Sequence, residues 1–115
     1  SRNRFNLTAA SQTEFVEKLL MITAIGGSIQ SGSYRAEPGA IAFKVLMTKG
    51  QMATFQLIRQ IPNCEAQFAR THALVTALGG HIKAGSLTYS NGRMNPTIVL
   101  SEEARQTYRM LQNMH

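Results

Sequence analysis

Six carboxylates serve the whole chain, and all are Glu: Glu14, Glu17, Glu37, Glu65, Glu102 and Glu103. Five fall in the first turn or so of a predicted helix, where capping and the positive helix terminus account for them. Glu37 falls in a turn. No two are spaced for paired acid–base work, and no set suggests a cage for a hard cation. The histidines are His72, His81 and His115, and none has metal-ligand spacing with another His or with Cys64, the single cysteine. Cys64 sits near a predicted helix N-terminus, which favours a thiolate, but His72 lies two helical turns further on and out of reach as its base. The thiol therefore reads as a packed side chain. The expectation is no catalytic residue, no metal, no cofactor and no enzyme activity; an enzyme would need a pocket that these residues do not announce.

The cations are more numerous. Twelve Lys and Arg against six acids give a formal net charge of +6 and a pI of about 10.1. Such a balance favours a polyanionic partner, nucleic acid before an anionic membrane surface. Arg35 and Lys44 fall in one predicted hairpin, Lys83 and Arg93 in another, and Arg2 and Arg4 in an N-terminal strand. Tyr34 and Tyr89 add stacking surfaces in the two hairpins. These eight residues are the expected contacts to a phosphate backbone. DNA and RNA are not distinguished, since no aromatic pair forms a known readout motif.

The elements that must hold these cations come in two copies. The stretch "TAIGGSIQSGS" at 23–33 returns as "TALGGHIKAGS" at 76–86. With a shift of 53 positions Phe15 falls on Phe68, Gly26 and Gly27 on Gly79 and Gly80, Gly32 on Gly85, and Gly39 on Gly92. Glycines and apolar positions coincide most, as backbone geometry and core packing require. Each copy reads as helix, hairpin, helix. In the first, "SQTE" is a capping box ahead of Phe15, Leu19 and Ile22 at helical spacing. The double glycine stops that helix. Ile29 and Tyr34 have opposite parity, which predicts a bulge near Gly32, and the same flip recurs between Ile82 and Leu87. "EPG" and "SNG" mark the hairpin turns. Ile41, Phe43, Val45 and Met47 then alternate with Ala42, Lys44 and Leu46, which puts Lys44 on the face away from the helices. "TKGQ" and Ser101 cap the closing helices, and Pro62 and Asn63 punctuate the junction.

The expected fold is α+β: a duplicated αββα unit with pseudo-twofold symmetry, its antiparallel sheet covered by helices on one face. The chain of 115 residues reads as one domain, with an extra N-terminal strand at 1–10, one unit at 11–62 and the other at 63–115. Helix–hairpin–helix units around a pseudo-dyad resemble the LAGLIDADG homing endonucleases, and "LLMITAIGGSI" echoes that family's motif helix. The resemblance implies a saddle of hairpins on DNA. The family holds metal with an acid at the end of that helix, and Gly26 and Gly79 stand at both places here, which argues against nuclease activity.

The expected function is a non-enzymatic nucleic-acid-binding domain. The alternative is a protein-interaction or assembly module, homo-oligomeric through the alternating strand at 4–9, with six Met as adaptable contacts. No apolar run approaches a membrane span, and the opening "SRNRFNL" does not resemble a secretory leader. One unpaired cysteine fits a cytoplasmic or other reducing compartment.

Overall fold

Alternation in the first residues is satisfied by pairing within the chain. In the computed structural model, which describes residues 1–114, β1 (Asn3–Ala9) runs antiparallel to β4 (Ala40–Met47) along its full length. His115 lies outside the described residues. Phe5 opposes Val45 and Leu7 opposes Phe43, so the apolar members of both strands share one face. Val45, Met47 and Phe43 are all but inaccessible there.

Helix α1 (Gln12–Ile25) covers that face. Ser11 caps it by accepting from the Glu14 N–H at 3.1 Å. The Glu14 carboxylate reaches back to the Ala10 N–H, one residue earlier than a strict capping box requires. At its far end Gly26 and Gly27 both donate to the Ile22 carbonyl, which ends the helix. A Cβ on Gly27 would come within 2.7 Å of Met47 Cγ. The missing side chain is therefore what lets the helix end seat against β4.

The other edge of β4 carries β2 (Ser28–Ile29) and β3 (Arg35–Glu37). Between the pairs Ile29↔Val45 and Arg35↔Ala42, residues 30–34 stand opposite only 43 and 44. The surplus residues bulge, with Gly32 at φ +75°, a left-handed conformation that favours glycine. The ladder bond lost to the bulge is replaced by a side chain: the Lys44 N–H donates to Ser33 Oγ at 3.0 Å.

Helix α2 (Lys49–Ile58) follows, with Thr48 and Gln51 forming a complete capping box. It buries Phe55 and Ile58. Helix α3 (Cys64–Ala77) packs against α1 and buries Phe68 and Val75. Asn63 precedes it at φ +57° and makes no side-chain cap bond. Each fully buried Phe contributes on the order of 2 kcal/mol of apolar transfer.

The second hairpin comprises β5 (His81–Ile82) with β8 (Ile98–Val99) and β6 (Thr88–Ser90) with β7 (Arg93–Asn95). Helix α4 (Glu102–Gln112), capped by Ser101, closes the chain. Pairs recur at the same spacing: Ile29↔Val45 and Ile82↔Ile98, Arg35↔Ala42 and Thr88↔Asn95. The bulge recurs too, with Gly85 at φ +77° and Ser86 Oγ accepting from the Thr97 N–H at 3.0 Å.

The architecture is α+β, four helices with antiparallel sheets. In place of one continuous sheet there is a four-stranded sheet and two two-stranded ones. The second hairpin is instead tied to the first helix, through Leu87, which is buried and whose N–H donates to the Ala24 carbonyl at 2.9 Å.

Candidate nucleic-acid interface

The face of the four-stranded sheet opposite α1 follows from register alone. Arg4, Asn6 and Thr8 point away from Phe5 and Leu7, and their partners on β4 are Leu46, Lys44 and Ala42. Arg35 stands opposite Ala42 from the other side. Alternation therefore sets Arg4, Lys44 and Arg35 on one surface.

A trough of about 630 Å³ is lined by Arg35, Lys44, Asn6 and Thr8 of this face, and by Leu7, Phe43 and Lys18 from the side that α1 covers. Its cations are Lys18, Arg35, Lys44 and Arg59, and its one acid is Glu37. Arg35 reaches Glu37 at 3.6 Å with its side chain 76% exposed, a contact that water and salt weaken. Lys44 is exposed and has no ion pair among the described residues. The Arg59 guanidinium lies over the Phe55 ring, its Cζ 5.4 Å from the ring centroid, and the residue is exposed. Asn6, Thr8 and Ser33 supply polar lining. Gln30 also faces the trough, and its Oε1 is buried without a donor from the described residues.

Lys18 differs from the other three. It is 4% exposed, and its ammonium donates to the Thr8 carbonyl at 2.7 Å and to the Glu14 carboxylate. The Lys18 hydrogen bond holds the Glu14 carboxyl below the usual carboxylate range, with the Ala10 N–H acting in the same direction. Its positive charge is thus internally matched, and it positions the edge of β1 more than it offers a contact. Glu65 lies in the opposite condition, with burial pushing its carboxyl up despite Lys18 and Arg59 nearby.

Of the remaining expected contacts, Tyr34 also lines the trough, and the others are distributed elsewhere. Arg2 is tied down, donating to the Gly26 carbonyl at 3.3 Å and to Ser28 Oγ at 3.4 Å. There it complements the negative C-terminus of α1. The Tyr34 ring lies 6.0 Å from Phe15 of α1, and half of the residue is exposed. Tyr89 is partly buried against the core. Lys83 stands at the start of the second bulge, its N–H on the Thr97 carbonyl. Arg93 lines a separate cavity with Phe68 and Tyr108. The trough therefore joins Tyr34, Arg35 and Lys44, Arg4 shares the face of the two cations, and the second hairpin's cations lie outside it.

Lys18 and Arg59 are absent from the expected contacts. A signal for Lys18 exists: it interrupts the stripe Phe15, Ile22, Ile25 on α1, where an apolar residue is the default. For Arg59 no local signal exists, because its place depends on how α2 packs.

Other reactive groups are quiet. Cys64 is a free, buried thiol, and burial pushes its pKa up, which suppresses the thiolate. Among the described residues no group of three or more His, Cys, Asp or Glu could hold a metal ion, and no helix is long and apolar enough to cross a membrane. Comparison with protein-family models, with curated proteins and with solved structures found no match to this chain.

Proposed function

We propose that this protein is a non-enzymatic nucleic-acid-binding domain whose contact surface is the trough beside β4. The observation that carries this reading is the convergence of Lys44, Arg35 and Arg59 on one open surface that holds a single acid. Phosphates spaced along a strand match such a row of separated cations, and Asn6 and Gln30 add hydrogen-bonding groups beside it. Arg4 extends the charged surface along β1.

The scaffold in this reading is one αββα unit used twice around a pseudo-dyad. Support comes from hydrogen-bonded pairs that recur 53 residues apart, down to the serine hydroxyls at Ser33 and Ser86 that replace a ladder bond. The two units then have unequal roles. The first carries the trough, and the second supports it through Leu87. The buried free thiol of Cys64 fits a reducing compartment.

The test is fluorescence anisotropy with labelled single- and double-stranded DNA and RNA at about 50 and 200 mM salt. Binding is expected at the lower salt and is expected to weaken steeply at the higher. No binding to any of the four at low salt overturns the proposal.

A further inference from the structure

The two halves of the chain differ in one respect that has a chemical consequence. In the first half β1 closes the inner side of β4: Phe5, Leu7 and Ala9 lie opposite Val45, Phe43 and Ile41. The positions 53 residues further on are Ile98, Pro96 and Met94, and no strand opposes their outer edge among the described residues. A groove of about 370 Å³ lies there instead. Met94, Pro96 and Ile98 line it together with Phe68 and Tyr108, the counterparts of Phe15 and Phe55, and Arg93 lines it too. Phe55 is fully buried in the first half, whereas Tyr108 is half-buried.

The direction of the backbone groups is also fixed. The Thr97 N–H and C=O are both engaged by the bulge, through Ser86 Oγ and the Lys83 N–H. The Ile98 N–H and C=O and the Pro96 C=O therefore turn outward, as the N–H and C=O groups of Phe43 and Val45 turn toward β1.

We propose that this groove docks an extended peptide segment of another protein, with apolar residues at alternate positions and a carboxylate at its C-terminal end. The inference rests on the duplicated-unit reading and is independent of nucleic-acid binding. The apolar pattern is that of the segment filling the equivalent space in this chain, "FNLTA" at 5–9. The carboxylate follows from charge: Arg93 has no ion pair among the described residues, and no acid lines the groove. Its counterpart is Ala40, next to the Ile41 that opposes Ala9, so an acid at the position of Ala10 meets the guanidinium. Pro96 offers a carbonyl and no N–H where Phe43 offers both. The docked strand thus forms one ladder bond fewer than β1, which suits a segment that binds and leaves.

The probe is a synthetic peptide, NRFNLTAE, carrying residues 3–10 with Ala10→Glu, titrated into the isotope-labelled full chain. Amide signals of Met94, Ile98 and Leu100 are expected to shift. Arg93→Glu is expected to weaken binding about tenfold, and the peptide ending in Lys is expected to restore it, as for a charge pair across an interface. A peptide with the alternation scrambled, NRNFTLAE, is expected not to bind. No shifts at millimolar peptide, shifts confined to Ile41–Met47, or equal binding of the scrambled peptide each overturn the proposal. Shifts at 94–100 without rescue by the Lys-ended peptide overturn the assigned carboxylate. Loss of nucleic-acid binding in the anisotropy assay leaves all of these outcomes unchanged.

Discussion

Replacing Lys44, Arg35 and Arg59 by Ala, singly and together, tests the trough through a quantity that bulk affinity hides. Each cation that neutralises a phosphate releases counterions, contributing about 0.9 to the slope of log affinity against log salt for duplex DNA and about 0.7 for single strands. Of the four cations lining the trough, Lys18 is buried and committed to Thr8 and Glu14, so three remain for phosphates. The expected slope from the trough is about 2.7 on a duplex and about 2.1 on a single strand. Between about 50 and 200 mM salt, a fourfold change, those slopes lower affinity about 40-fold and about 20-fold. Each single variant removes one increment, and the triple variant leaves only the shallow dependence of Arg4 and more distant charges. All three side chains are exposed, so the substitutions leave the core intact, which circular dichroism checks. The reasoning fails if the triple variant keeps the parent slope. It fails equally if Lys83→Ala and Arg93→Ala lower the slope as much as the trough variants do.

Ser33→Ala and Ser86→Ala each leave a strand N–H without its acceptor, and each is expected to cost about 1 kcal/mol in urea unfolding; a neutral result for both denies the hydroxyls a structural role. Glu14 and Glu65 are expected to respond to pH with opposite sign. Glu14 has a lowered folded-state pKa, so its contribution is present above the ordinary carboxylate range and is lost as pH falls through the folded value. Glu65 has a raised one, so stability declines as pH rises from the ordinary value through the folded value, and Glu65→Gln abolishes that decline. Thermal melts of the parent, Glu14→Gln and Glu65→Gln between about pH 3 and 7 check both signs, and parallel profiles refute them. Gly80→Ala places a Cβ 2.2 Å from the Val99 carbonyl oxygen and is expected to destabilise by more than about 2 kcal/mol, whereas Gly50→Ala, with its nearest contact at 3.9 Å, is expected to be neutral or stabilising; equal melting temperatures for the two refute the packing argument.

Much of the local structure was legible because it is written in periodicities. The parity flip between Ile29 and Tyr34 announces the bulge, since side chains alternate strictly along a strand. Lys44 falls on the open face for the same reason. Capping at Thr48 and Ser101 follows from hydroxyls placed just ahead of apolar runs. What periodicity does not carry is distance between elements. Tyr34 comes to rest near Phe15 because the bulge absorbs five residues, a length that Gly32 alone does not specify. Lys18 finds the Thr8 carbonyl only once α1 lies along β1. The second hairpin is tied to α1 by a bond between Leu87 and Ala24, far apart in sequence. Hence two of the expected cations met in one place, others did not, and the trough took in residues from the helices.

The serine-plugged bulges also shape how this protein meets foreign strands. A strand presents a recruitable edge only where consecutive amides face outward in step. Residues 28–37 and 81–90 each lose step midway, so neither outer rail of the hairpins offers a run long enough for another chain to zip onto. Accidental association is thereby steered to the outer side of β1 and to residues 94–100, where Lys18 already occupies one carbonyl of the former and a proline notches the latter.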